Sequence, residues 1–300
     1  MKTHDESITP DKKVLICGGS GFIGSHLISY LQKKCCHVVL LSHRQHNLNG
    51  LKEYVVDTNS QQEIENAISL IAPDVVIFLS ACYDHDDVKK VIDVNLSFPV
   101  MLMQALCRLP VMKRNMIFAG SYWSLGDDGN HFSALDNYAA AKKAVRTFAE
   151  TYSFYSGIYF SNLVIYGSYG RHDHRGKLLD SIINAVKKNQ TLALSPGEQY
   201  LDLVHIDDIC HGFYQLVSRC LSRQEVGLVE DFSLATRQPV RVTDIITYIA
   251  KQYDVAMIHL GKRPYRAREI FSPQYLFPVV PEWTPRQNIY DYIDNEMNAR

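Results

Sequence analysis

The 300-residue sequence predicts an α/β protein with a doubly wound parallel sheet, and two observations support this prediction. Short apolar runs typical of buried strands alternate with longer stretches of helical periodicity through the first half of the chain. A glycine-rich turn, Gly18–Gly24, joins the first apolar run to the first helical stretch. Alternating strands and helices of this kind build a parallel sheet with helices on both faces.

Each predicted element rests on its own pattern. The strand candidates are rich in Val, Ile, Leu and aromatic residues, and they cover residues 14–17, 37–41, 53–56, 75–79, 116–119 and 160–165. The helical stretches repeat apolar residues every three or four positions and cover residues 24–33, 61–71, 88–108 and 138–155. Pro73 and Pro110 mark the ends of two of these helices, because proline cannot continue a helix.

The turn that contains Gly18, Gly21 and Gly24 has the spacing that holds a dinucleotide. Glycine lets the backbone turn tightly and approach a pyrophosphate, while the helix N-terminus offers N–H donors and a partial positive charge. A glycine-rich turn also occurs as a simple tight connection. Here both flanking elements fit the dinucleotide pattern, so we favour that interpretation.

A second motif, Tyr138-x-x-x-Lys142, places a phenol and an ammonium on one face of a predicted helix. The spacing alone is common on helices without a function, but Ser121 adds a hydroxyl just after the strand predicted over 116–119. A nearby cation favours a phenolate. We therefore expect Lys142 to lower the pKa of Tyr138 and to make it a proton donor near neutral pH.

Taken together, these motifs resemble those of the extended short-chain dehydrogenases/reductases, a group that includes UDP-galactose 4-epimerase and the nucleotide-sugar dehydratases and ketoreductases. The resemblance extends from about Lys13 to the C-terminus. In chain order, the motifs that carry it are Gly18-x-x-Gly21-x-x-Gly24, Asp57, Leu79-Ser80-Ala81, Asn95, Gly120-Ser121-Tyr122, Tyr138-x-x-x-Lys142, Tyr166-Gly167 and Asp202–Asp208.

The resemblance implies roles for the matched residues. Ser121, Tyr138 and Lys142 would form the catalytic triad: Tyr138 would protonate a carbonyl oxygen held by Ser121, and Lys142 would also hold the nicotinamide ribose. Asp57 would meet the adenine. The further cofactor-binding residues that the resemblance implies are Gly18, Gly21, Phe22, Ile23, Gly24, Leu79, Ser80 and Ala81.

The regular alternation ends after Gly167, where basic, proline-rich and aromatic-rich segments begin. We therefore predict two domains. Residues 1–166 would form an NAD(P)-binding Rossmann domain, to which residues 201–218 return. Residues 167–200 and 219–300 would form a smaller C-terminal substrate-binding domain.

The end of the second predicted strand favours NADP as the cofactor. Enzymes that prefer NAD often place a carboxylate there, which accepts hydrogen bonds from the ribose 2′-hydroxyl. This strand instead runs into Ser42-His43-Arg44, and the next acidic residue is Glu53. Arg44 would bind the 2′-phosphate in two-pronged geometry, and Ser42 would add a hydrogen bond. A solvated basic loop is the alternative interpretation of this segment, and NAD is the alternative cofactor.

Within the family, the sequence resembles small reductases of nucleotide-linked 4-keto-6-deoxy sugars, such as the CDP-abequose synthases. The short interval from Ser121 to Tyr138 and the segment 264–270 carry this resemblance. It implies that Arg266 contacts the pyrophosphate of a nucleotide sugar. Tyr122 lies next to Ser121 and would pack against the sugar or close the core.

Two residues depart from the family pattern. Leu201 and Val164 stand where relatives commonly carry Arg and Asn or His, so a polar contact to the substrate would be lost at each position. The substrate would then be unusual or lack the nucleotide.

Three functions remain open at this point. The first is an NADPH-dependent ketoreductase, and the second is a redox-neutral 4-epimerase or dehydratase with tightly bound NAD. Dehydratases normally carry an acidic pair directly after the serine, whereas this chain has Tyr122 and Trp123. The third is a non-catalytic dinucleotide-binding protein, a class that tends to lose the Tyr or the Lys of the motif.

Composition narrows the partners and the location. A net charge of −1 and a pI near 6.9 provide no long-range attraction for polyanions, so we expect neither nucleic acid nor an anionic membrane as a partner. The N-terminal residues 1–13 are polar, and the seven cysteines are scattered, so we expect a reduced, cytoplasmic protein. We expect no metal, since the histidines of the loop 171–175 lack the spacing of zinc ligands. A homodimer is a further expectation from the resemblance.

Overall fold

The structure, a computed structural model, describes residues 11–34, 36–48, 50–127 and 133–299. Its centre is a seven-stranded sheet in which every pair of neighbours is parallel. The strands are β1 (Lys13–Cys17), β2 (His37–Ser42), β3 (Lys52–Val55), β4 (Val75–Phe78), β5 (Asn115–Ser121), β6 (Tyr159–Ile165) and β11 (Val229–Leu234). Their spatial order is β3-β2-β1-β4-β5-β6-β11, so the predicted doubly wound Rossmann sheet is confirmed.

Helices cover both faces of this sheet. One face is covered by α1 (Phe22–Lys33) and α7 (Ile206–Ser222), and the other by α2 (Gln61–Ile71), α4 (Phe98–Leu106) and α5 (Asn137–Ser156). Strand β1 shows why both faces are apolar: Val14 and Ile16 join the core on the α1 side, while Leu15 and Cys17 join the core on the α2 side. Helix α3 (Val88–Ile92) continues through a π-helical turn, Asp93–Ser97, into α4.

A smaller unit beside the sheet has its own apolar core. Helices α6 (Leu178–Lys188), α8 (Val242–Ile249) and α9 (Ile289–Asn298) pack around Tyr169. Three pairs of short strands complete it: β7 (Gly167–Tyr169) with β10 (Leu203–His205), β8 (Leu192–Ala193) with β13 (Ile258–His259), and β9 (Tyr200–Leu201) with β12 (Val240–Arg241).

The predicted elements of the first half agree with the observed ones to within one or two residues at most ends. The sequence pattern did not predict the edge strand β11, which lies in the segment 219–300 assigned to the substrate domain. Glu230 and Asp231 hide its apolar pattern. In the folded chain Arg219 pairs with Glu230 and Arg146 pairs with Asp231, so partners distant in sequence make an acidic edge strand stable. The division into two domains otherwise stays a prediction.

Two carboxylates of the stretch 202–208 fasten the C-terminal segments to the sheet. Asp202 accepts hydrogen bonds from the backbone N–H groups of Thr236 and Arg237 and from the hydroxyl of Tyr275. Asp208 accepts hydrogen bonds from the backbone N–H groups of residues 286 and 287. This stretch therefore anchors the chain after β11 and the segment that leads into α9. Among the described residues, no helix is long and apolar enough to cross a membrane.

Candidate active site

The glycine-rich turn lies at the carboxyl end of β1, where the strand order changes direction between β1 and β4. Gly18 has a φ of +89°, and a Cβ there would lie 2.6 Å from the backbone N of Ser80. A Cβ on Gly24 would lie 2.3 Å from the carbonyl oxygen of Gly18. Both positions therefore require glycine, the first for its conformation and close approach, the second for close packing of α1.

The N-terminus of α1 is built to receive an anion. Gly21 is its N-cap and supplies no side-chain hydrogen bond, and the first turn has no acidic residue. Its first N–H groups are therefore left for a ligand, and the helix dipole favours a negative one. These features fit the pyrophosphate of a dinucleotide.

A cleft of about 1,050 Å³ extends from this turn across the ends of β2, β3 and β4. Most of the predicted cofactor-binding residues line it: Gly18, Gly21, Phe22, Ile23, Gly24, Ser42, Asp57, Leu79, Ser80 and Ala81. Arg44 is exposed and lies outside the described lining, in the loop that follows β2. We call this the cofactor cleft.

Glu53 on β3 organises that loop, and the sequence reading did not give it a role. Its carboxylate accepts hydrogen bonds from Ser42 Oγ at 2.8 Å, from Gln45 Nε2 at 3.0 Å and from the backbone N–H of His46 at 2.9 Å. These hydrogen bonds lower the pKa of Glu53 despite an opposing effect of burial. Both carboxylate oxygens are thus occupied by the loop itself.

Ser121, Tyr138 and Lys142 come together where β5 ends and α5 begins. Asp136 caps α5 by accepting a hydrogen bond from the backbone N–H of Ala139 at 2.8 Å, which fixes the start of the helix that carries Tyr138. Ser121 Oγ accepts a hydrogen bond from the backbone N–H of Trp123 at 3.3 Å, and the Ser121 side chain acts to lower the pKa of Tyr138. Lys142 lies one turn further on and donates to the carbonyl oxygen of Ser80 at 3.4 Å.

Burial controls the protonation of this group. It lowers the pKa of Lys142 to about 7, because the ammonium lies between apolar rings, 4.4 Å from the centroid of Phe118. Burial also raises the pKa of Tyr138 well above its usual value, and Tyr83 adds to this rise. The expected lowering of the Tyr138 pKa by Lys142 was wrong, because burial raises the pKa of Tyr138 and also disfavours the charged form of Lys142. Tyr138 therefore keeps its proton at neutral pH.

Tyr83 is a neighbour that the sequence gave no reason to single out. Its hydroxyl donates to the hydroxyl of Tyr138 at 3.4 Å, and the two ring centroids are 4.4 Å apart. Tyr83 lines the wall shared by both clefts. Only the fold brings residues 83 and 138 into contact.

A second cleft of about 960 Å³ begins at Ser121, Tyr138 and Lys142 and extends over the smaller unit. We call it the substrate cleft. It shares Ile23, Leu79, Ala81, Tyr83 and Arg175 with the cofactor cleft, so the two clefts are continuous. Ligands bound in the two clefts would therefore meet near Tyr138.

The predicted substrate residues both line this second cleft. Tyr122 stacks on Tyr166 with ring centroids 5.2 Å apart. The guanidinium of Arg266 lies over the ring of Trp123, 5.1 Å from its centroid. Trp123 thus holds a cation in the cleft, a contact that spacing in the sequence could not show.

Lys177 is a further cation in this cleft that the sequence reading missed. Partial burial lowers its pKa, and the charges of Arg175 and Arg266 lower it further. The charge of Arg266 therefore disfavours a charge on Lys177 in the substrate cleft. An anionic ligand placed between these two cations would relieve this repulsion.

A model of the NAD dependent epimerase/dehydratase family matches residues 14–227. The chain belongs to this family.

Two relatives are CDP-abequose synthases. The enzyme of Yersinia pseudotuberculosis is 35% identical over 88% of this chain and 93% of its own length. That of Salmonella typhimurium is 24% identical over 79% of each chain. Among solved structures, the UDP-glucose 4-epimerase of Thermotoga maritima with UDP-glucose has a TM-score of 0.78, at 17% identity over 95% of this chain and 97% of that one. This structural likeness confirms the fold.

The two departures from the family pattern have different surroundings. Leu201 lines the substrate cleft, so it presents an apolar side chain to a ligand there. Val164 is buried in the core on the α1 side of the sheet and lies outside the described lining of both clefts. Its apolar character serves packing, and the predicted loss of a substrate contact at this residue has no support in the structure.

The basic loop 171–175 divides its charges between two places. Arg171 pairs with Glu296 at the surface, whereas Arg175 pairs with Asp173 and lines both clefts. Within the described ranges, no group of three or more His, Cys, Asp or Glu side chains is arranged to hold a metal ion.

Proposed function

We propose that this protein is an NADPH-dependent reductase of a nucleotide-linked 4-keto-6-deoxy sugar, with hydride delivered to C4. The observation that carries the proposal is the meeting of Ser121, Tyr138 and Lys142 at the junction of two continuous clefts, in a chain 35% identical to a CDP-abequose synthase. The matched region spans 88% of the chain.

The charges of the substrate cleft support a nucleoside diphosphate as the handle of the substrate. Arg266 is close enough to Lys177 for its charge to lower the pKa of Lys177, and Trp123 holds Arg266 in place. A diphosphate carries the opposite charge and accepts charge-assisted hydrogen bonds. The sugar would then extend toward Ser121 and Tyr138, past Tyr122.

The loop after β2 supports NADPH over NADH. The carboxylate of Glu53 already accepts hydrogen bonds from Ser42, Gln45 and His46, so it is not free to bind a ribose 2′-hydroxyl. Ser42, His43 and His46 line the cleft, and Arg44 lies beside them. Such a loop offers hydrogen-bond donors and cations to a 2′-phosphate.

When bound, NADPH supplies the hydride that forms the new C–H bond at the carbonyl carbon. Ser121 holds the carbonyl oxygen by donating a hydrogen bond. Tyr138 gives its proton to that oxygen as the charge develops, so the products are an alcohol, NADP⁺ and a tyrosinate that solvent reprotonates. Lys142, charged near neutral pH when anionic phosphate and phenolate are present, stabilises the tyrosinate and holds the nicotinamide ribose.

Elimination chemistry fits the described cleft less well. Tyr122 and Trp123 fill the two positions after Ser121 where a dehydratase carries acids. The nearest following acid, Asp127, forms a two-pronged ion pair with Arg268. The cleft therefore favours reduction over dehydration.

The test supplies the protein with CDP-4-keto-6-deoxyglucose, and with its UDP, GDP and dTDP counterparts, together with NADPH deuterated at the transferable position. We expect one NADPH oxidised per sugar and deuterium at C4 of the product. Tyr138→Phe serves as the control for background reduction, since it keeps both clefts and removes the acidic proton.

Two other results would reject the proposal. Purified protein that carries tightly bound NAD and interconverts 4-hydroxyl epimers without consuming NADPH would be an epimerase. A protein that binds dinucleotide but turns over none of the four keto sugars with either cofactor would be a binding protein.

A further inference from the structure

Arg175 is the one charged residue among the described residues that line both clefts, and the family motifs do not include it. It comes from the loop after β7, in the smaller unit, yet its guanidinium lies over the ring of Phe22, 4.4 Å from the centroid. Phe22 is the first residue of α1 and follows the N-cap Gly21. The loop of one unit thus reaches the anion-binding turn of the other.

The position of this guanidinium is well defined. Arg175 Nε and Nη2 donate to the two carboxylate oxygens of Asp173 at 2.6 Å and 2.5 Å, and Nη2 also donates to Ser168 Oγ at 3.0 Å. The Asp173 side chain is fully buried, whereas 31% of the Arg175 side chain is exposed. A buried carboxylate therefore holds a partly exposed guanidinium against the glycine-rich turn.

We propose that Arg175 binds the pyrophosphate of the dinucleotide from the substrate side of the cleft. The ring of Phe22 places the guanidinium beside the N-terminus of α1, where the free N–H groups attract the same anion. Because Nε and Nη2 donate to Asp173 and Ser168, Nη1 is the nitrogen that would donate a charge-assisted hydrogen bond to a phosphate oxygen. Lys177 and Arg266, in contrast, line only the substrate cleft.

This contact would link the two ligands. Because Arg175 precedes Lys177 by two residues, a pyrophosphate that orders the loop 171–177 would also fix Lys177 in the substrate cleft. The inference rests on the dinucleotide site of the family and not on the proposed reduction, so direct binding measurements test it even if the substrate is something else.

The experiment measures Kd for NADPH, NADH and CDP with Arg175→Ala and Arg175→Lys. Arg175→Ala should weaken NADPH and NADH by the same factor, about tenfold to a hundredfold, because both carry the pyrophosphate. Arg175→Lys keeps the charge but loses the planar guanidinium, so we expect a smaller loss of dinucleotide affinity. The Kd for CDP in the absence of dinucleotide should stay within about twofold of the wild-type value. A tenfold weakening would require the loss of a charge-assisted contact with CDP, and we propose no such contact for Arg175.

Two further variants separate a ligand contact from a loop effect. Arg171→Ala removes a cation of the same loop that pairs with Glu296 at the surface, and it should leave both dinucleotides unaffected. Asp173→Asn weakens the ion pair but keeps the guanidinium, so it should retain most of the affinity. Unfolding temperatures without ligand show whether each variant is folded.

The proposal is overturned by any of three results. Equal losses from Asp173→Asn and Arg175→Ala would mean that the pair only shapes the loop. A loss confined to CDP would make Arg175 a substrate residue. Unchanged Kd values for both dinucleotides with folded Arg175→Ala would remove it from ligand binding.

Discussion

The cofactor cleft and the substrate cleft are built by different means. The first is made mainly of backbone: Gly18 and Gly24 permit close approach, and the N-terminus of α1 supplies N–H donors. The second is made of long side chains, Lys177 and Arg266 among them, with Tyr122 and Trp123 as an aromatic wall. Its parts come from three segments that are far apart in the chain.

This difference has a consequence for mutation. A site made of backbone depends on a few glycines, and most side chains around it contribute little to the binding free energy. A side-chain site depends on each charged or hydroxyl group that touches the ligand. We therefore expect the largest effects where the two clefts meet, intermediate effects in the substrate cleft and the smallest effect at the exposed edge of the cofactor cleft.

Tyr138→Phe should have the largest effect, at the junction. Turnover should fall by about a hundredfold or more while the Kd for NADPH stays near the wild-type value, because only the acidic proton is removed. Steady-state kinetics and fluorescence titration measure the two quantities. Tyr83→Phe is the matched control, since it removes the adjacent hydroxyl; an equal loss in that variant would show that the acid acts through the pair.

Lys142→Ala should impair both turnover and cofactor binding. The ammonium serves the phenol and the ribose, so turnover and NADPH affinity should each fall by about tenfold or more. A loss of turnover with unchanged affinity would confine Lys142 to the proton-transfer step.

The titration of Lys142 should also make the stability of the protein depend on pH. Its pKa of about 7 in the folded chain lies below the unfolded value of 10.5, so between these values the unfolded chain binds more protons. Its burial penalty is complete below pH 7 and shrinks as the pH rises, so stability rises with pH in this window. Without ligand, Lys142→Met should raise the unfolding temperature above that of the wild type by more at pH 6.5 than at pH 9. An equal gain at both values would show that the ammonium is not titrating in the folded chain.

Arg266→Ala tests the side-chain character of the substrate cleft. It should weaken CDP by about tenfold through loss of a charge-assisted contact, and it should leave NADPH unaffected. Isothermal titration of both ligands measures this. Arg263→Ala, a nearby cation of the same cleft, is the control for a general charge effect; equal losses in the two variants would remove the specific role of Arg266.

Arg44→Ala should have the smallest effect, because the side chain is exposed and its contact with a phosphate is screened. NADPH should weaken several-fold more than NADH, since only NADPH carries the 2′-phosphate. Paired titrations compare the two. This result would differ from that of Arg175→Ala, for which both cofactors should weaken equally, and equal losses here would end the assignment of Arg44 to the 2′-phosphate.

Local patterns were sufficient to predict the sheet of the first half and the cofactor turn. The turn could be read because its glycine spacing, apolar strand and following helix are contiguous in sequence. The edge strand β11 could not be predicted in this way. Its acidic residues Glu230 and Asp231 are unfavourable in a strand unless Arg219 and Arg146 pair with them. The same limit hid Tyr83 and Lys177, whose neighbours Tyr138 and Arg266 are distant in sequence, and Glu53, whose hydrogen-bond partners come together only when the loop after β2 folds back onto β3.

The sequence by itself determined the fold class, and it brought out the glycine-rich turn and the Tyr138-x-x-x-Lys142 pair, because each depends on a contiguous pattern. The role of Ser121, Tyr138 and Lys142 as a triad is implied by the family resemblance and stays a prediction. Only the tertiary structure decided the protonation of Tyr138 and Lys142 and the position of Arg175 over Phe22. The physical reason is that burial and the nearness of charges are properties of neighbours in space. Chain spacing fixes which groups a helix presents, whereas packing fixes the medium and the charges that they meet.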